Sequence, residues 1–175
     1  CKTSMKTCHP RHTNWNTTLE KIASYNLFNY LLPGVLFALL ANWITNYKFP
    51  LDNVIIGGFL CYFLGLIISR IGSLIVEPIL KKTSFVKFAD YKDYISASAK
   101  DPLIITLSEA NNMYRTFISL FLTLILLKAY EVAESRFSFL QNVSPYILII
   151  LFLILFLWSY RKQTKYIKCR VKAND

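Results

Sequence analysis

The sequence predicts an all-α protein: a bundle of four transmembrane helices, with both termini in the cytoplasm and a long third helix that projects into the cytoplasm. Hydrophobic residues make up 54% of the 175 positions and charged residues 17%, a balance more apolar than that of an ordinary soluble domain. Four runs of about 15 to 25 residues carry almost no charge, close to the length that a helix needs to cross lipid. The Lys and Arg residues fall mainly between these runs, as they do beside membrane helices.

The first part of the chain is a polar arm followed by an apolar helix. Residues 1–16 are polar and predict a flexible arm. A capping-box pattern at 17–20, TTLE, predicts a helix start, and this helix leads into the first span at 27–45. Pro33 and Gly34 lie in the first half of that span. Because proline removes a backbone hydrogen bond and bends a helix, we predict a hinge at these two residues.

The second span, 54–76, carries a line of small residues, and Pro78 is predicted to end it soon after. Small residues let two helix backbones approach closely in lipid. The line therefore predicts helix packing, either inside a tight four-helix bundle or at a subunit interface or pore. The residues of this line, four positions apart, are Gly57, Cys61, Gly65, Ser69 and Ser73.

Two charged residues lie towards the inner end of the second span. Arg70 and Glu77 are seven positions apart, which places them on nearly the same face of an uninterrupted helix. Intramembrane charges are costly and usually face the bundle interior or water. The predicted partners of Arg70 are Glu109 and Asn112, at the matching depth on the third helix. Two interpretations stay open: an arginine that snorkels to the interface beside a structural ion pair, or a sensing or gating element.

The segment 77–107 between the second and third spans is predicted to be cytoplasmic. Four apolar or aromatic residues recur in it near helical spacing, which predicts an amphipathic piece at the membrane surface or under the bundle. These residues are Phe85, Phe88, Tyr91 and Ile95.

The third helix begins after Asp101-Pro102, a favourable cap and first-turn pair. No Gly or Pro follows until Pro145, so one helix from 103 to about 134 is predicted. Its apolar part forms the third span at 108–130. Since such a helix is longer than the hydrocarbon core of about 30 Å requires, it is predicted to extend into the cytoplasm. Near its outer end, Lys128 is predicted to reach Glu131.

The fourth span, 144–160, is the most apolar run, and the basic tail 161–175 follows it. Lys and Arg number four in the arm up to Lys21, six in segment 81–115 and six in the tail, against one in each of the two short turns. Cytoplasmic flanks of membrane helices carry the excess of basic residues. This bias of sixteen against two therefore predicts that both termini are cytoplasmic.

The sequence carries no HExxH, GxSxG, Walker or GxGxxG motif, so neither an enzyme nor a cofactor is predicted. Cys8, His9 and His12 lack the second ligand cluster typical of a structural metal site, and no metal is predicted. The net charge of +10 is not accompanied by a basic-aromatic motif, which argues against direct nucleic-acid binding. The lipid bilayer is the predicted partner.

Two strings resemble a known family: YNLFNYLLPG at 25–34 and LSEANNMYR at 107–115, together 19 of the 175 residues. They are similar to segments of small four-span membrane proteins from bacterial antiphage defence clusters, among them the membrane subunit of the Kiwa system. The resemblance implies a homo-oligomeric sensor in the bacterial inner membrane. Such a sensor responds to phage at the envelope and works with a cytosolic partner that binds phage DNA. Other four-span defence proteins permeabilise the membrane.

We therefore hypothesise an inner-membrane subunit of an antiphage system that senses an envelope disturbance and relays it to a cytosolic protein. The docking surface would lie in segment 81–115, with Lys81, Lys82 and Arg115 as its cationic contacts. The alternatives are a pore-forming effector that disrupts the membrane, and a plain membrane anchor or scaffold.

Overall fold

The computed structural model describes residues 27–174, and these residues form helices joined by short loops, with no strand among them. The predicted arm 1–16 and the capping box at 17–20 lie outside the described residues. In chain order, the helices are α1 (Leu32–Ile44, entered through a π-helical turn at Leu27–Leu31), α2 (Val54–Lys82, with a π-helical turn at Gly72–Val76), α3 (Tyr91–Lys100), α4 (Leu103–Arg136) and α5 (Phe139–Asn174).

Three of these helices, α2, α4 and α5, are long and apolar enough to cross a membrane, and the apolar helix that includes α1 is shorter. Their outer surfaces are largely apolar: only 11% of the most apolar stretch of α5 is buried inside the chain. Water-soluble proteins rarely expose continuous apolar surfaces of this extent. The exterior is therefore that of a membrane protein.

The core lies between α1, α2 and α4. Five buried apolar side chains form it: Phe37 and Ala41 of α1, Ile68 of α2, and Leu120 and Leu124 of α4. The helix α5 lies outside this core and contacts α2 through aromatic rings. Phe63 stacks with Phe156 at a centroid distance of 6.3 Å and meets Phe152 edge-on at 6.0 Å.

Each of the first two helices contains a π-helical turn followed, two residues later, by a proline. Pro33 is the second residue of Leu32–Ile44, and Pro78 is the second residue of Glu77–Lys82. A first-turn residue needs no amide donor to the preceding turn, so proline is tolerated there. The prediction that Pro78 ends the second span soon after is therefore wrong. The helix passes through the π-helical turn and through Pro78, and it continues to Lys82.

The prediction of one long helix from 103 to about 134 is confirmed. α4 runs from Leu103 to Arg136, and the Asp101 carboxylate accepts a hydrogen bond of 2.9 Å from the Leu103 amide. α5 differs from the predicted span 144–160 at both ends. It begins at Phe139, passes through Pro145 and continues to Asn174, so most of the basic tail forms further helical turns.

The segment between α2 and α4 contains the predicted helical piece, α3. Its aromatic Tyr91 lies 6.1 Å from the ring of Tyr166 on α5. Just before α3, the Phe88 ring lies 4.2 Å below the ammonium of Lys81. The segment therefore folds against the C-terminal turns of α2 and α5.

At the opposite end of the bundle, the loop between α1 and α2 is fastened to α4. Asn46 donates hydrogen bonds to Glu131 from its backbone and its side chain, and Tyr47 donates one to Glu134. Lys128 pairs with Glu131 at 2.8 Å, which confirms that prediction. Burial, together with the Glu134 carboxylate, raises the pKa of the Tyr47 phenol, because both disfavour a negative phenolate.

Candidate functional site

The most highly charged contact in the described part of the chain is centred on Glu77, whose side chain is only 8% exposed. Three cations from three helices surround this carboxylate. Lys81 of α2 lies 2.8 Å from Oε1, and Arg115 of α4 lies 2.6 Å from Oε2. Lys162 of α5 lies 3.7 Å from Oε2. We call these four residues the Glu77 cluster.

The Glu77 cluster connects α2, α4 and α5 through one carboxylate. A carboxylate withdrawn from water is stable only when cations or hydrogen-bond donors replace its hydration. Here the replacements come from α2, α4 and α5, so a displacement of any of the three helices changes the electrostatics of the same carboxylate. One acid against three bases also leaves this end with an excess of positive charge.

Arg70 does not join the Glu77 cluster, and the predicted pairing with Glu109 is wrong. Its guanidinium donates a 3.4 Å hydrogen bond to the Tyr30 hydroxyl of the first helix, and no ion pair joins it to Glu109 in the described residues. Arg70 is also separated from Glu77, because the turn Gly72–Val76 between them is π-helical and includes one residue more than an α-turn. This turn therefore rotates Glu77 by roughly 100° away from the face of Arg70.

Arg70 instead lines a small cleft between α2 and α5. Ser73, Ser159, Lys162 and Tyr166 line it as well. Lys162 crosses the cleft and donates to the Ser73 hydroxyl at 2.7 Å and also to the Ser73 carbonyl. Sequence reasoning missed Lys162 as a site residue, because no pattern relates two positions that are 89 residues apart.

The middle of the small-residue line, at Cys61 and Gly65, lies against the first helix of the same chain, whereas Gly57 lies against Leu51 of the loop before α2. Gly57, Cys61, Gly65 and Ser69 are buried. A Cβ added at Gly65 would lie 2.6 Å from the Tyr30 carbonyl carbon. These small residues therefore allow backbone-to-backbone contact within the chain. Ser73, at the end of the line, is half-buried and faces Lys162.

The predicted hinge residues contact the same surface. Pro33 and Gly34 are buried, and a Cβ added at Gly34 would lie 2.6 Å from the Cys61 carbonyl carbon. The close approach of α1 to α2 therefore depends on the absence of a side chain at Gly34. Bending of the helix at Pro33 and Gly34 stays a prediction.

The predicted docking residues differ in how accessible they are. Lys82 is exposed. The Lys81 side chain is 44% exposed, whereas that of Arg115 is 21% exposed and is paired with Glu77. Arg115 is thus mainly an internal contact rather than a surface one. Glu109 and Asn112 are half-buried on α4.

Two further polar features of the bundle were not anticipated from the sequence. The buried Ser119 hydroxyl of α4 donates a 2.9 Å hydrogen bond to the Ile68 carbonyl of α2. Asn29 is buried at the start of the first helix, and its side-chain oxygen has no hydrogen-bond donor within the described residues.

Within residues 27–174, no group of His, Cys, Asp or Glu could hold a metal ion, and the Cys8, His9 and His12 set lies outside this range. No protein-family model, curated protein or solved structure matches the chain.

Proposed function

We propose that this chain is a four-span protein of a bacterial inner membrane, with α1, α2, α4 and α5 crossing the bilayer and both termini in the cytoplasm. The distribution of basic residues supports this orientation, since sixteen of them lie in the arm, segment 81–115 and the tail. The Glu77 cluster then lies at the cytoplasmic side, and the contacts of Tyr47 and Glu134 lie outside. The first turns of α4 extend beyond the bilayer on the cytoplasmic side.

A reporter fusion after residue 175 tests this orientation. A fluorescent protein fused there should fluoresce, and alkaline phosphatase fused there should be inactive. Alkaline phosphatase inserted between α4 and α5 should be active. Phosphatase activity at the C-terminus would reverse the proposed orientation.

We further propose that the chain is a subunit of an antiphage system, and that it relays a disturbance of the membrane to a cytosolic protein. The resemblance of the strings at 25–34 and 107–115 supports the defence context. The observation that carries the relay is the shared carboxylate of Glu77, which three helices contact at once. When the bilayer changes the tilt of α4 or α5, a cation leaves this carboxylate and the end of α2 moves with it. Segment 81–115 presents that change to the partner.

A charge-neutral substitution with a matched control tests the relay. In cells that express the chain with its neighbouring genes, Glu77→Gln should abolish protection against phage, measured as plating efficiency, while the protein stays in the membrane. Glu131→Gln removes a carboxylate that pairs with Lys128 at the other end and should leave protection intact. Equal protection with both variants would refute the relay.

The two alternatives are separated by measurements on the purified chain. Liposomes that contain the chain should stay tight to ions; leakage by the chain alone would identify a pore-forming effector instead. If unrelated transmembrane helices can replace α2 and α4 without loss of protection, the chain is an anchor or scaffold.

We also propose that the chain forms a homo-oligomer. The small-residue line does not support this, since Cys61 and Gly65 already contact the first helix of the same chain. The support comes from the resemblance of the strings at 25–34 and 107–115 to a family whose members are homo-oligomeric. Native mass spectrometry from lipid nanodiscs measures the state, and a monomer there would refute it.

A further inference from the structure

We propose that the cleft between α2 and α5 binds the phosphate of an anionic phospholipid. The cleft is lined by two cations, Arg70 and Lys162, and by the hydroxyl-bearing residues Ser73, Ser159 and Tyr166. Among residues 27–174, no carboxylate lines it. The Arg70 guanidinium and the Tyr166 hydroxyl are donors that suit a phosphate oxygen. Lys162 already donates to Ser73, so it contributes mainly positive charge. The Ser159 hydroxyl donates to the Leu155 carbonyl, so Ser159 contributes mainly space. The inference requires only that the two helices lie in a bilayer, and it does not rest on the relay.

The charge balance around the cleft favours an anion. The Glu77 carboxylate is 2.6 Å from Arg115 and 2.8 Å from Lys81, but 3.7 Å from Lys162. Its charge is therefore shared mainly with the two nearer cations. Within residues 27–174, no carboxylate pairs with Arg70, whose guanidinium makes a 3.4 Å contact with the neutral Tyr30 hydroxyl. A bound phosphate would supply the missing negative charge.

The level of the cleft along the helices points to a lipid. Arg70 lies towards the inner end of the span 54–76, about 24 Å along the helix from Val54 at 1.5 Å per residue. Ser159 and Lys162 follow the apolar part of α5, next to the exposed aromatic side chain of Trp158. Aromatic and basic residues at such a boundary mark the headgroup level of a bilayer. Basic pockets between transmembrane helices at that level suit anionic headgroups.

The surroundings of the cleft also favour a lipid over a free phosphate. Leu74 lines the cleft itself, and the side chains of Ile75 and Trp158 beside it are 46% and 57% exposed. Acyl chains can lie on this apolar surface while the phosphate reaches Arg70 and Lys162. A free phosphate ion would leave the same surface uncovered.

The test measures the lipid that the full chain retains. The protein is placed in nanodiscs of phosphatidylcholine with a minor fraction of phosphatidylglycerol, released in a native mass spectrometer, and the bound lipids are identified. Wild type should retain phosphatidylglycerol in preference to phosphatidylcholine. Arg70→Gln should reduce this retention about tenfold, the effect of losing a charge-assisted hydrogen bond, whereas Arg70→Lys should keep most of it.

Two further variants separate a built site from general attraction to an anionic surface. Lys165→Gln removes a charge from an exposed residue of the same helix and should leave retention unchanged. Ser159→Leu fills the cleft while keeping every charge, and it should lower retention as much as Arg70→Gln does. If Lys165→Gln reduces retention as much as Arg70→Gln, or if Ser159→Leu has no effect, the proposed site does not exist.

The source of the phosphate is tested by competition. Inorganic phosphate added at millimolar concentration should not displace phosphatidylglycerol from the wild-type chain. Displacement would show a site for free phosphate and overturn the assignment to a lipid. Circular dichroism and gel filtration of each variant verify that a loss of lipid does not reflect loss of fold.

Discussion

The contact between α1 and α2 makes a quantitative prediction, because two glycines on it have no room for a methyl group. A Cβ at Gly65 would lie 2.6 Å from the carbonyl carbon of Tyr30 and closer still to its oxygen. Carbon atoms rest at about 3.5–4.0 Å from one another, so the carbon contact alone requires Gly65→Ala to move the two helices apart by about 1 Å, and the oxygen contact requires more. The obstacle is backbone, which cannot rotate away as a side chain can.

The energetic consequence follows from that displacement. A gap of 0.5–1 Å removes roughly a quarter to a half of the attraction in each neighbouring contact. Overpacking of this kind typically costs about 1–3 kcal/mol. We expect the free energy of unfolding of Gly65→Ala to fall by about 2–3 kcal/mol, towards the upper end because the contact is between two backbones.

Gly58→Ala is the matched control on the same helix. Nothing lies within 4 Å of a Cβ at Gly58, and alanine inside a helix is more favourable than glycine by about 0.5–1 kcal/mol. Gly58→Ala should therefore be stabilised slightly.

The assay is unfolding in mixed micelles of a mild detergent and increasing dodecyl sulfate, followed by circular dichroism. If Gly65→Ala is as stable as Gly58→Ala, the close approach of α1 and α2 does not exist and the reasoning fails.

Three further predictions use the same unfolding assay. Glu77→Ala should lower the free energy of unfolding by about 2 kcal/mol. This is less than the roughly 3–5 kcal/mol of a fully buried pair, because water still reaches part of the Arg115 side chain. If the double variant with Arg115→Ala loses no further stability, the pairing of Glu77 with Arg115 is supported. Ser119→Ala should cost about 1 kcal/mol through the lost hydrogen bond to α2, and a neutral result would contradict that contact. The pKa of Tyr47 is raised in the folded state, so the free energy of unfolding should fall as the pH rises above about 10, the pKa in the unfolded state. Tyr47→Phe should reduce this fall at alkaline pH. An unchanged pH profile would show that the Tyr47 phenol is not bound to Glu134.

Much of the architecture could be predicted because it depends on local sequence and on the requirements of lipid. The long α4 follows from the absence of Gly and Pro between 103 and 144. The ion pair of Lys128 and Glu131 follows from helical spacing. The small-residue line identified the face of α2 that approaches another backbone.

The candidate site was predictable only in part, and one geometric feature explains most of the difference between the predicted and the observed positions of its charged residues. Arg70 and Glu77 are seven positions apart and would share a face of a regular helix. The π-helical turn Gly72–Val76 separates the faces and permits Pro78 to continue the helix. Neither consequence can be read from residue spacing, since spacing assumes a constant helical period.

The sequence by itself determined which segments are helical and apolar enough for a membrane, because hydrogen bonding within a helix and apolar side chains are local requirements. Only the tertiary structure decided which charges meet. Glu77 is joined to Arg115 and Lys162 from two other helices, and those contacts depend on how the helices rotate and cross. Rotation is set by close backbone contacts, such as those of Gly34 and Gly65, and by the extra residue of a π-helical turn.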